Sequence, residues 1–307
     1  MTDHEIDPDP HYLWTTDHEP RVTVRSGDTV TFRAREALNG QFELLGSGDA
    51  LPEVDWDSVY PLIGPVWVEG AEPGDVLEVE ILEVANEEWG WTAVLPGFGL
   101  LTEDFPDAHF HRWELDGIAA DFKQIASVPL RPFFGVIGVC PDVAEPTAVL
   151  PPGRFGGNMD CRDLIAGTKL YLPVQTAGAR LAVGDPHAAQ GDGEVCVSAI
   201  EASASGSLRI GLHKNRSIPA PQFQTLGPLR TGIDEAGYYA TMGVAGDLMT
   251  ASKDALRAMV EHMCTTYGME PIDAYVLSST VVDLKITEVV DAPNWVVSAY
   301  LPLSVMR

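Results

Sequence analysis

The chain has 307 residues, of which 45 are acidic and 19 basic, for a formal net charge of −26. Such a field repels nucleic acid and anionic membranes and is compatible with neutral or cationic small molecules as partners. A chain of this length with 45% hydrophobic content can build a large core as one elaborate domain or two modest ones, and no apolar run approaches the ~20 residues that span a bilayer. Met1-Thr2-Asp3-His4-Glu5 lacks the basic-then-apolar pattern of a secretory leader. The four cysteines, Cys140, Cys161, Cys196 and Cys264, form no C-x-x-C pair. A cytoplasmic protein is the expectation.

Alternating apolar runs at residues 21–24 and 29–34 flank the turn Ser26-Gly27-Asp28 and predict two strands. Further strands are expected at 65–68, 76–84, 133–139, 169–174, 195–200 and 208–212, with Glu72-Pro73-Gly74-Asp75 as a turn. Residues 95–129 read as irregular, although His109-Phe110-His111 would put two imidazoles on one face of a strand. That pair fits a metal site or a solvated edge. The proline-rich stretch 141–152 reads as a loop.

After about residue 230 the pattern changes. Thr250, Ala251 and Ser252 offer caps, and Ala255, Leu256, Met259, Val260 and Met263 recur at helical spacing until Gly268. A second helix is expected after Pro271, then strands at 283–290 and 296–301. The expected fold class is mainly β: a β-sandwich region at 1–230 carrying the functional loops, and a smaller α+β portion at 231–307 packed on it as one unit.

Two segments concentrate chemistry. Gly184-Asp185-Pro186-His187-Ala188-Ala189-Gln190-Gly191-Asp192-Gly193-Glu194 gathers three carboxylates, an imidazole and a carboxamide between glycines and a proline. Its Gly and Pro content predicts a loop, with Glu194 at the lip of the strand 195–200. Oxygen and nitrogen donors at this density suit a divalent metal or a general base, and equally a solvated acidic turn. Gly156-Gly157-Asn158-Met159-Asp160 lacks the Lys-Ser/Thr ending of a phosphate loop. Asp160 reads either as a site residue or as the cap of a helix at 161–166. Cys161 lies beside it, with no neighbour that would activate a thiol.

These segments resemble the acetamidase/formamidase family. The resemblance rests on Gly64-Pro65-Val66-Trp67-Val68-Glu69-Gly70-Ala71-Glu72-Pro73-Gly74-Asp75-Val76-Leu77-Glu78-Val79 and on the two motifs above. Thr241-Met242-Gly243 and Ala274-Tyr275-Val276-Leu277-Ser278 support it. It implies hydrolysis of short linear amides, a jelly-roll-like β-sandwich core and a homo-oligomer. The residues it points to are Asn158, Asp160, Asp185, His187, Gln190 and Glu194. One departure is Tyr60-Pro61-Leu62-Ile63, where a His or Asn, then Pro and Thr, would be expected.

An unactivated amide needs an activated nucleophile, a polarised carbonyl and a proton for the leaving ammonia. No G-x-S-x-G elbow is present. Asp160, Asp185 and His187 form an O/N ligand set for zinc or a similar divalent ion, with Glu194 as general base and Asn158 or Gln190 donating to the carbonyl oxygen. A metal-free scheme with one ionised and one protonated carboxylate uses the same residues. The non-catalytic alternative is a β-sandwich module binding a divalent cation or carbohydrate.

Overall fold

The structure, a computed structural model, describes residues 2–227 and 233–307. Its six-stranded sheet runs, in spatial order, Asp3–Glu5, Thr29–Ala34, Ala204–His213, Val76–Asn86, Lys169–Pro173 and Gln222–Gln224. The sequence pattern explains it directly. Along Val76–Asn86, Leu77, Val79 and Ile81 are buried, while Glu78 and Glu80 point outward. There Glu78 pairs with Lys169 at 2.8 Å and Glu80 with Arg209 at 2.8 Å across neighbouring strands.

The eight-stranded sheet contains Gly156–Asn158, Phe133–Gly138, Leu181–Ala189, Ile200–Glu201, Trp89–Val94 and His109–Glu114 in order. Leu62–Val68 also pairs with Leu181–Ala189, and Val22–Val24 lies beyond it in parallel. One apolar cluster joins the two sheets, with Phe32, Val79, Ile81 and Leu208 meeting Leu62, Val136, Leu181 and Val183. The chain is mainly β, as expected.

Toward the C-terminus, Tyr238–Ala245, Trp295–Pro302 and Asp283–Glu288 form an antiparallel sheet. Helix α1, Leu248–Tyr267, packs on it. Its cap is Asp247 rather than residues 250–252: the Asp247 carboxylate accepts from the Thr250 amide at 2.9 Å. Gly268, at φ 68°, ends the helix where the sequence placed its stop. Helix α2, Pro271–Val281, is buried along nearly its whole length. Ala255, Leu256, Met259, Tyr275 and Val276 share a second core with Val94, Trp113, Ala188 and Cys196 from the earlier chain. The expected boundary at 230/231 lies outside the described residues.

Four local expectations are corrected. Residues 184–189 are not loop but part of the strand Leu181–Ala189, in which every residue is buried. Gly184 and Pro186 are tolerated because the strand changes partner here, from Leu62–Val68 at Gly184 to Ile200–Glu201 at His187. Conversely, 195–199 are turns rather than strand; only Ile200–Glu201 pairs. The alternation there reflects burial, and its backbone is satisfied from elsewhere. The Tyr275 hydroxyl donates to the Val195 carbonyl at 2.5 Å, and the Cys196 amide donates to Ser279 Oγ at 3.1 Å. No helix forms at 161–166, so Asp160 caps nothing. Residues 95–129 contain three strands, His109–Glu114, Ala119–Phe122 and Ala126–Pro129.

Candidate active site

The strand Leu181–Ala189 is the spine of the site. Register sets His187 opposite Phe133 on one side and Glu201 on the other, bringing an acid from 14 residues downstream beside the imidazole. Gly156–Asn158 pairs with Phe133–Gly138, and the Met159 and Asp160 amides both donate to the Gly135 carbonyl, at 3.1 and 3.2 Å. That turns the Asp160 carboxylate toward His187. Gly135 leaves the room: a Cβ there would lie 2.6 Å from Asp160 Oδ1 and 2.9 Å from His187 Cε1. The loop carrying Glu194 is held from behind. Gly191 N donates to the Ser279 carbonyl at 2.8 Å, and Leu284 N donates to the Asp192 carbonyl at 2.9 Å.

Asp160, Asp185 and His187 each place one donor atom within 4.8 Å of the others, and His187, Glu194 and Glu201 do the same. His187 Nε2 lies 3.3 Å from Asp185 Oδ1, 3.3 Å from Glu201 Oε2 and 4.0 Å from Glu194 Oε1. Gln190 orients the ring. Its Nε2 donates to the Asp160 carbonyl at 2.7 Å, which turns its Oε1 to His187 Nδ1 at 2.9 Å. Nδ1 therefore carries the hydrogen, and Nε2 faces the carboxylates.

A cavity of about 230 Å³ opens over this cluster, with Asn158, Asp160, Asp185, Glu194 and Glu201 among its walls. Five lining residues, Tyr60, Asp160, Asp185, Glu194 and Val197, have φ between 44° and 79°. Non-glycine residues adopt that conformation at a cost, and its concentration here marks a site held in place by its surroundings.

Burial dominates the electrostatics. It pushes the Glu201 carboxyl up to about 8 against the opposing pull of His187, and Asp160 up to about 6. Glu194 is raised well above its ordinary value by burial and then by the neighbouring Asp160 charge. Burial would lower His187, but Glu201 and Asp185 more than offset it and hold the imidazole well above its usual range. Four carboxylates crowd this small volume beside a single imidazole. Asp160 Oδ1, Asp185 Oδ1, His187 Nε2 and Glu201 Oε2 are buried without hydrogen-bond partners. Such a set of orphaned oxygen and nitrogen atoms fits a divalent cation.

The residues singled out in the sequence separate into groups. Asp160, Asp185, His187 and Glu194 converge. Asn158 lines the cavity, and its Nδ2 donates to the Leu150 carbonyl at 3.1 Å. Gln190, expected as a donor to substrate, is used on both ends of its amide, by His187 and Asp160, and does not line the cavity. Tyr60, the departure from the family pattern, is a cavity wall, and burial raises its phenol so that it stays neutral. His111 is buried edge-on to Trp113 with ring centroids 4.5 Å apart, and burial lowers its imidazole to about 4. Among the described residues His109 and His111 join no metal-ligand group. Glu201 and Gly135 were missed. The only available signal for Glu201 was a lone acid in the apolar run Ala199-Ile200-Glu201-Ala202.

A mainly β chain with a buried imidazole–carboxylate cluster under a small cavity has the groups that hydrolytic enzymes use, and its relatives place it among them. The model of the acetamidase/formamidase family matches residues 2–149 and 142–307. A formamidase from Methylophilus methylotrophus is 26% identical over 97% of this chain and 89% of its own. Among solved structures, an acetamidase from Bacillus halodurans superposes with TM-score 0.70 at 30% identity, covering 97% of both chains. A γ-lactamase from Delftia acidovorans superposes with TM-score 0.91 at 26% identity, over 98% of this chain and 90% of that one. The chain belongs to the acetamidase/formamidase family.

Proposed function

We propose that the protein hydrolyses the C–N bond of short linear amides, releasing a carboxylate and ammonia. One observation carries the assignment of roles: Asp160 and Glu194 lie together beside His187 at the buried floor of the cavity. Two adjacent, half-buried carboxyls hold one proton between them, giving a base and an acid in a single pair. The ionised member takes a proton from water as the water oxygen attacks the amide carbon. The protonated member returns a proton to nitrogen as the C–N bond breaks. Asn158 and the neutral Tyr60 phenol face the same cavity and are placed to orient the carbonyl.

Asp160, Asp185 and His187 would hold a divalent ion, with Glu201 able to complete the set. The imidazole among them favours zinc or another first-row ion over calcium or magnesium. When bound, that ion would supply Lewis-acid polarisation; Asp160 would then be an ionised ligand and Glu194 alone the general base, the shared-proton pair belonging to the metal-free form of the same site.

Four unpaired cysteines support work in a reducing, cytoplasmic compartment. Among the described residues, no helix is long and apolar enough to cross a membrane. The net charge of −26 favours a neutral amide over nucleic acid as partner. Exposed Met242, Val244 and Ile286 on the C-terminal sheet support a homo-oligomer. The shared second core supports treating the two chain portions as one unit.

Ammonia release from formamide and acetamide, assayed before and after exhaustive chelation, tests both halves of this reading. Activity lost on chelation and restored by zinc is expected, as is reduced bound metal in His187→Ala. Full activity in protein shown metal-free by elemental analysis would leave the carboxylate pair alone.

A further inference from the structure

Formamide and acetamide leave most of this cavity empty. At about 230 Å³ it holds roughly seven waters at about 30 Å³ each, whereas an amide of four heavy atoms displaces only two or three. The remaining volume has a definite character. Beyond the acidic floor the walls are Leu38, Trp56, Trp91, Leu95, Phe98 and Leu150, and among the described residues no lysine or arginine lines the space. Asp185 and Glu201 at the floor are 3% and 2% exposed, while Trp56 and Phe98 are 54% and 38% exposed. The cavity therefore runs from a polar buried end to an aromatic mouth.

Trp56 and Phe98 come from separate loops yet stack, with ring centroids 5.8 Å apart and planes 22° from parallel. Trp56 is the first residue of a short 3-10 turn, Trp56–Ser58, capped by the Asp55 carboxylate. That turn is tied down by reciprocal bonds between Asp55 and Gln41, at 2.8 and 3.2 Å. Phe98 sits in a turn closed by its amide to the Leu95 carbonyl at 3.0 Å. Two large rings held in water over the mouth of an acidic cavity form a wall for an apolar guest.

Resting on the amidase reading above, we propose that the substrate is a neutral amide with an apolar acyl group larger than acetyl. Its chain or ring has about four to seven carbons by the volume comparison. Its amide lies at the Asp160–Glu194 floor, and its hydrocarbon part lies against Trp56, Leu95, Phe98 and Leu150. Trp56 and Phe98 set the selectivity.

The experiment measures kcat/KM for formamide, acetamide, butyramide, hexanamide, benzamide and the cyclic amide 2-pyrrolidinone on the full-length protein. Binding of benzamide is followed in parallel by tryptophan fluorescence. A well-filled hydrophobic subsite is worth about tenfold or more per fitted group, so the best of the four larger amides should exceed acetamide by at least that factor. Which of them leads tells chain from ring. Trp56→Ala and Phe98→Ala, both outside the core, should each raise KM for the preferred amide and cut its ratio to acetamide about fivefold or more, with Trp56→Phe recovering most of it. Acetamide or formamide turned over as well as every larger amide would overturn the acyl subsite while leaving the amidase intact. An unchanged ratio in both alanine variants would overturn the role of the rings. Benzamide binding with no amide turned over would remove the amidase reading, and the substrate proposal with it.

Discussion

The two large sheets obey different rules, though they share one core. In the six-stranded sheet, Val76–Asn86 alternates buried and outward residues along a long ladder with Ala204–His213 that keeps one partner throughout, with a single register shift between Ser207 and Leu208. In the eight-stranded sheet, Leu181–Ala189 is buried at all nine positions, switches partner midway and turns through a left-handed Asp185. Regular pairing satisfies every backbone group and leaves nothing to aim at a ligand. The forked strand opens a gap in its ladder, and the gap is where Asp185, His187 and Glu201 meet. The first sheet supplies continuous pairing and core, and the chemistry lies where the second departs from regularity.

The largest expected stability effect lies behind the site. Arg162 forms a buried ion pair with Asp283, and Asp283 also accepts from the Asp192 amide at 3.2 Å, tying both site loops to the C-terminal portion. Arg162→Met removes one partner of a wholly buried carboxylate, a change that costs up to about 3–5 kcal/mol. Denaturant unfolding checks it, and a loss under about 1 kcal/mol would mean that the α+β portion does not brace the site.

Glu194→Gln keeps shape and removes basicity, so kcat should fall at least about 100-fold with unfolding unchanged. Near-normal kcat would shift the base to Asp160 or Asp185.

Glu36 offers a pH test at the edge of the site. Burial pushes its carboxyl from 4.5 to about 7, although it accepts from Leu38 N and Gly40 N, both at 2.6 Å. The folded state then binds a proton that the unfolded state has released. The stabilisation is complete below pH 4.5, declines as pH rises, and is gone above about 7. The full swing is about 3 kcal/mol at most. Melting temperature followed from pH 5 to 8 should fall in the wild type and fall less in Glu36→Gln; parallel curves would discard this assignment.

Smallest is a change confined to the regular sheet. Val79→Ala, at a fully buried position, should cost about 2 kcal/mol of stability and leave kcat/KM unaltered. A matching loss of activity would show that the two sheets are not separable in function.

What the sequence determined by itself was local and periodic. Alternation placed the four inner strands of the six-stranded sheet but not its edge strands Asp3–Glu5 and Gln222–Gln224, helical spacing and Gly268 placed α1, and the family motifs picked out Asp160, Asp185, His187 and Glu194. Each of those signals is carried by neighbours a few residues apart, within reach of a short window. Tertiary structure decided the rest. Whether Gly184 and Pro186 break a strand depended on which partner lay alongside, and whether 195–199 paired depended on Tyr275 and Ser279 supplying its hydrogen bonds. Glu201 entered the site only through its register opposite His187, and Gly135 only because Asp160 and His187 need the space its missing side chain leaves. The aromatic mouth joins loops 42 residues apart, Trp56 and Phe98. Hydrogen bonding, burial and steric room between distant segments have no period along the chain, so they became legible only once the sheets had brought those segments together.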